Sequence, residues 1–174
     1  QRGTAIVRYY WSLFLNLHRA DIRGACLEIG STATLKSIGS AAVTTAKAMD
    51  LRAGDGVEIV ADLSRADGLA SATYDCVVVP FTMHLIYDVE AALYHAVRLL
   101  KPGGVLLMNF PCVDYYFPRG LDMGNGEPLF VYWMFTPIQV ENLLRRVGLP
   151  PAAFQIRSYG NLFTRVAYRL NLPA

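Results

Sequence analysis

Cysteine is scarce in this chain, and the three present, Cys26, Cys76 and Cys112, stand far apart with no metal-ligand spacing. That leaves no sequence case for a metal site, and an odd count without a CxxC pair points to a reducing, cytoplasmic compartment. Charge is also sparse. Only 17% of residues are Asp, Glu, Lys or Arg, and the formal net charge is +2, too small to suggest a nucleic-acid partner. Lys101, Arg145 and Arg146 read as solvated surface. Long hydrophobic runs are missing as well. No apolar stretch approaches the roughly 18–20 residues of a membrane span. The apolar segment 6–17 is short, contains Arg8 and Asn16, and has no signal-peptide cleavage pattern. There is no internal repeat, low-complexity tract or linker, so a single domain over 1–174 is expected. The chain starts at Gln1 rather than methionine, so residues upstream are expected too.

Apolar residues are plentiful, at 53%, and their spacing organises the chain. An opening helix is expected over 5–19, with Tyr9, Leu13, Phe14 and Leu17 facing inward. A first strand follows over 25–29 and ends in Glu28-Ile29-Gly30-Ser31. A short helix or turn at 33–37 leads to strands at 41–46 and 57–60, the latter followed by Ala61-Asp62-Leu63-Ser64. Residues 74–79 form a valine-rich run suited to a strand buried on both faces. Residues 89–100 place Ala92, Leu93, Ala96, Val97 and Leu100 at helical spacing, leaving Glu90, His95 and Arg98 off the stripe. Pro102 stops that helix, Gly103 and Gly104 permit a reversal, and 105–108 resume as strand. Strand, helix and strand at this spacing form a right-handed crossover. The stretch from Pro111 to Pro128 has loop composition, with Pro118, Gly120, Gly124, Asn125 and Gly126. Thr136-Pro137 then opens a helix that runs to 147. Two closing strands, 154–158 and 163–168, would form an antiparallel pair. The expected class is α/β: a Rossmann-like, doubly wound, mostly parallel sheet with a C-terminal antiparallel strand pair.

Ligands in such sheets bind beyond the carboxyl ends of the strands. Residues 74–111, with Leu-Lys-Pro-Gly-Gly at 100–104, resemble the class I S-adenosylmethionine-dependent methyltransferases. The resemblance covers nearly the whole chain. GTAIVRYY near the start and YWMFTP near the end are similar to a bacterial small-molecule subgroup, the type 11-like methyltransferases. The resemblance implies S-adenosylmethionine as cofactor and assigns roles along the strand ends. Glu28, Gly30, Ser31 and Thr32 would hold its methionine end, and glycine there allows close backbone approach. Asp62 would accept from the adenine amino group, while Leu63 would offer its N–H and pack on the ring. The ribose acid falls by this alignment at Ala46 and Lys47, where no acid stands, and Asp50 is a possible substitute. Phe81 would shield the sulfonium. His84 is the candidate catalytic base for a hydroxyl acceptor.

Each assignment has a plainer alternative. Gly30 could simply end a strand, Asp62 could cap a turn before Ser64, and His84 could pack against the helix and bond to backbone. The aromatic residues Tyr9, Tyr10, Trp11, Tyr115, Tyr116, Tyr132 and Trp133 could wall a pocket or belong to the core. The leading expectation is methyl transfer to a small metabolite or sugar-linked acceptor, with no nucleic-acid or membrane partner. A catalytically degenerate fold acting as a binding module is the alternative. A nicotinamide oxidoreductase ranks last, because G-x-G-x-x-G and Tyr-x-x-x-Lys are both missing.

Overall fold

The structure, a computed structural model, describes residues 6–39, 41–112, 121–122, 128–161, 163, 164 and 166. Helix α1 (Ile6–Leu17) leads into strand β1 (Gly24–Ile29), and the short helix α2 (Ala33–Ile38) follows. Strands β2 (Val43–Asp50), β3 (Ile59–Val60), β4 (Tyr74–Val79) and β5 (Leu100–Met108) complete a five-stranded sheet of order β3-β2-β1-β4-β5. All four pairings in it are parallel. Helix α3 (Val89–Arg98) makes the expected crossover between β4 and β5, and α4 (Pro137–Arg146) follows β5.

Strand alternation divides the core into two layers. Leu27, Ile29, Val77 and Val79 face α3 and α4, where Ala92, Leu93, Ala96, Val140 and Leu144 meet them. Cys26, Cys76, Val78 and Leu107 face Trp11, Leu15 and Leu35 on α1 and α2. The first two cysteines are therefore small buried hydrophobes. Thr136 and Gln139 form a reciprocal capping box at the start of α4, with Pro137 in the first turn.

Several elements depart from the sequence-based expectation. On α1 the buried residues are Trp11 and Leu15, whereas Tyr9, Leu13 and Leu17 are exposed. Apolar residues surround most of this helix, so periodicity alone left its phase open. His95, off the apolar stripe and expected as a surface or satisfied polar residue, is the latter: it is buried and receives an Arg98 Nε–H bond at 3.3 Å on its Nδ1. The Lys101–Gly104 reversal is built into β5: Tyr74 pairs with Leu100 and Cys76 with Val105, so a bulge stands opposite Asp75.

Strand β2 runs four residues further than expected, through Ala46 and Lys47 to Asp50. Its link to β3 is only residues 51–58, short for a parallel connection and without a helix. Leu51 and Val60 are accordingly 65% and 57% exposed. The C-terminal antiparallel pair is absent among the described residues. Phe154 and Ile156 alternate toward the core as a strand would, yet residues 154–158 pair with no strand among the described residues, and Phe163, Thr164 and Val166 are helical. The one antiparallel pair described is β6 (Leu121–Asp122) with β7 (Pro128–Leu129), inside the segment expected to be loop. Tyr115, Tyr116, Pro118, Gly120, Gly124, Asn125, Gly126 and Tyr168 lie outside the described residues.

Candidate cofactor site

The carboxyl ends of β1 to β4 are level, because Ile29 pairs with Met49, Asp50 with Val60 and Glu28 with Val78. At the end of β1, alternation turns Glu28 toward α2. Its side chain is 1% exposed, and both carboxylate oxygens accept backbone N–H bonds at 3.0 Å, from Thr34 and Leu35. Burial pushes its pKa up while these bonds pull it down. Glu28 thus fastens the loop and the start of α2, and any influence on a ligand passes through that loop.

Gly30 follows with φ +97 and donates its N–H to the Met49 carbonyl at 2.8 Å. A Cβ added there would meet a single neighbour, Asp50 Oδ2 at 3.9 Å. The loop therefore passes beside the Asp50 carboxylate and leaves open space above it. Ser31 is exposed, and Thr32 is buried and precedes α2.

The substitute offered for the missing acid stands here. Asp50 ends β2 directly beside Gly30, with Oδ1 accepting the Arg52 N–H at 3.0 Å. At the end of β3, Asp62 has the same local geometry. Its Oδ1 accepts from the Ser64 N–H at 2.8 Å and the Ser64 hydroxyl at 2.7 Å. This is the turn cap that was the plainer alternative, and it orients the carboxylate without consuming it. Neither Oδ2 meets a protein donor among the described residues. Leu63 is buried in the core layer of α3 and α4.

At the end of β4, Phe81 holds φ +47, a conformation costly for a bulky residue. Its N–H is fixed by Asn109 Oδ1 at 2.7 Å, from the end of β5. The Phe81 ring meets two residues of α1: Trp11 edge-on at 5.9 Å and the Arg8 guanidinium at 5.8 Å. His84 lies three residues on, 5% exposed, and burial lowers its pKa to about 4. It is neutral at pH 7 and a weak proton acceptor. Its carbonyl accepts the Tyr132 N–H at 2.9 Å, which ties the segment after β7 to the β4 loop. Trp133 donates its indole N–H to the Ile86 and Tyr87 carbonyls at 2.9 and 3.0 Å. Beyond it a cavity of about 480 Å³ opens between α3 and α4, lined by Tyr87, Trp133, Phe135 and Arg146 among others.

Asn109 and Arg8 were not singled out as site residues by sequence, and Asp50 entered only as a substitute for the acid expected at 46–47. Met49-Asp50 at the end of an apolar run and Asn109 after Leu-Leu-Met were the available signals. No pattern in the sequence marked Arg8. No group of three His, Cys, Asp or Glu among the described residues could hold a metal ion. No described helix is long and apolar enough to cross a membrane.

The geometry agrees with the comparisons. Residues 21–108 match the Methyltransferase domain family, and the chain belongs to it. The cofactor of this family is S-adenosylmethionine. No curated protein matches in sequence. Among solved structures, the trans-methyltransferase CalH in complex with SAH is similar at 18% identity and TM-score 0.52, over 78% of this chain and 47% of that one. A Bacillus halodurans C-125 protein aligns at 14% identity and TM-score 0.55, over 78% and 65%. An S-adenosylmethionine-dependent methyltransferase from Mesorhizobium loti aligns at 16% identity and TM-score 0.55, over 79% and 80%. At these identities the likeness establishes the fold, and the chain spans about half the length of CalH.

The residues present fit the cofactor. Gly30 gives a backbone approach that a side chain would fill, Asp50 suits vicinal hydroxyls, and Asp62 suits an exocyclic amine.

Proposed function

We propose that this chain is the cofactor-binding domain of a methyltransferase that binds S-adenosylmethionine along the carboxyl ends of β1 to β4. One observation carries the reading: Gly30 and Asp50 end adjacent paired strands, with open space above the glycine and Asp50 Oδ2 turned to the same side. Asp50 takes the ribose hydroxyls, Asp62 and the Leu63 N–H take the adenine edge, and Gly30, Ser31 and Thr32 take the methionine end. Glu28 keeps that loop in place from beneath. Bound S-adenosylmethionine supplies an electrophilic methyl group. Phe81, fixed by Asn109, offers an aromatic face beside it.

The acceptor we propose is a small metabolite or sugar-linked molecule, supported by the resemblance of the opening and closing segments to the small-molecule subgroup. With His84 held near pKa 4, rate enhancement rests on alignment of acceptor and donor more than on proton removal. Calorimetry with S-adenosylmethionine and S-adenosylhomocysteine tests the reading. Saturable binding is expected, weakened by Asp50→Ala and by Asp62→Ala. No heat of binding at millimolar cofactor overturns it.

A further inference from the structure

We propose that Arg8, which lies over Phe81, is an oxyanion-binding residue at the edge of this site. The inference rests on the methyltransferase reading and adds a chemical class to it: the bound molecules present a carboxylate or phosphate at the β4 end.

Three observations converge. First, α1 clasps the Phe81 ring with residues one turn apart, Trp11 from the edge and Arg8 over the ring at 5.8 Å. Trp11 is buried and anchors the helix, and Arg8, itself exposed, reaches over the ring from the turn before it. Second, the ring beneath it does not yield. Phe81 sits at a positive φ, and its N–H is held by Asn109 at 2.7 Å. Third, among the described residues no carboxylate or carbonyl meets the Arg8 guanidinium. Arg98, Arg145 and Arg146 show the contrast: Arg98 bonds to four acceptors, His95 Nδ1 among them, and Arg145 and Arg146 each pair with a glutamate. With no acceptor on it among the described residues, the N–H fork of Arg8 stays available, and such a fork grips carboxylate or phosphate bidentately.

The electrostatics point the same way. A sulfonium brought to the Phe81 ring would stand near the Arg8 cation, and two positive charges there repel. An anionic group between them turns repulsion into attraction on both sides. The same oxyanion could belong to the acceptor or to the amino-acid end of the cofactor, since β1 and β4 are neighbours.

The test compares the wild-type chain with Arg8→Ala, Arg8→Lys and, as a surface control, Arg19→Ala. Calorimetry measures S-adenosylhomocysteine, its decarboxylated analogue, and then benzoate and phenyl phosphate on the S-adenosylhomocysteine-saturated protein, with benzyl alcohol as neutral probe. If the acceptor supplies the oxyanion, benzoate or phenyl phosphate binds at least tenfold more weakly to Arg8→Ala, with benzyl alcohol and S-adenosylhomocysteine unchanged. If the cofactor supplies it, S-adenosylhomocysteine weakens at least tenfold while its decarboxylated analogue binds both proteins alike. Arg8→Lys is expected to fall between, and Arg19→Ala to match wild type. A purely structural Arg8 would lower the melting temperature and leave every affinity within twofold, and that result overturns the proposal. Failure of S-adenosylhomocysteine to bind wild type sinks the methyltransferase reading instead. The two anions titrated without it then still decide on Arg8, and absence of any Arg8-dependent binding overturns it.

Discussion

The two ends of the central sheet use the same pair of residues, a glycine and an aspartate on neighbouring strands, for opposite purposes. At the amino end, Gly24 starts β1 at φ +69, and a Cβ there would collide with the Asp75 carboxylate of β4. Asp75 Oδ2 is closed by the Ala25 N–H and the Lys101 ammonium, both at 2.8 Å. A Cβ added to Gly104 would stand 3.0–3.2 Å from the Lys101, Tyr74 and Asp75 carbonyl oxygens, so the bulge of β5 leaves little room for a side chain. At the carboxyl end, Gly30 is equally left-handed, but a Cβ would meet only Asp50 Oδ2 at 3.9 Å. The first glycine is required by crowding and its aspartate is spent on the protein. The second borders space and its aspartate keeps an oxygen for something else. Identical residue types become clamp or site according to what the neighbouring strands bring.

Substitution of the two glycines separates the ends most strongly. Gly24→Val is expected to cost more than about 3 kcal/mol in chemical denaturation, since overpacking adds to backbone strain. Gly30→Val is expected to cost about 1–3 kcal/mol, mainly as backbone strain, while abolishing cofactor binding by calorimetry. Equal stability losses at both positions would erase the distinction. Next comes the buried imidazole of the carboxyl end. His84 has its pKa lowered from 6.5 to about 4, so the unfolded chain binds the extra proton first. Its contribution is fully present above pH 6.5 and lost as pH falls from there to about 4, by up to about 3 kcal/mol. Urea midpoints of wild type and His84→Phe across that window check this; parallel curves would count against it.

Asp50→Ala is expected to weaken S-adenosylhomocysteine by 10- to 100-fold, about 1.4–2.8 kcal/mol. The ligand-free melting temperature should move little. A large drop in that temperature would make Asp50 another clamp. The smallest effect belongs to Asp75. Its pKa is lowered, first by the Lys101 hydrogen bond and then by the Ala25 N–H. The stabilisation is present above the ordinary carboxylate range and disappears as pH falls through the lowered value. Asp75→Asn should therefore flatten the acid limb of the stability curve below about pH 4, with cofactor affinity unchanged.

The legible parts of the sequence were those with one dominant pattern. The valines of β4, the stripe of α3 and Thr136-Pro137 each allow one structure, and each formed where expected. Strand β2 was misread because Thr44, Thr45 and Lys47 are exposed where no crossover helix covers them, so its polar residues resembled a strand ending early. That misplacement set Ala46 and Lys47 at the strand end, where Asp50 stands. Residues 154–158 alternate like a strand, but alternation reports which side is buried, and only a partner's hydrogen bonds make a strand. Phe154 and Ile156 achieve the burial without the partner.

By itself, the sequence determined the α/β class, the central crossover, the capped helix after β5 and the family, because periodicity and turn chemistry act over a few residues and survive without context. Tertiary structure decided which acids stand at the level strand ends, which face of α1 turns inward, and that Arg8 lies over Phe81. Those facts depend on register between strands distant in the chain, where a shift of one residue reverses every side chain and no local pattern records the outcome.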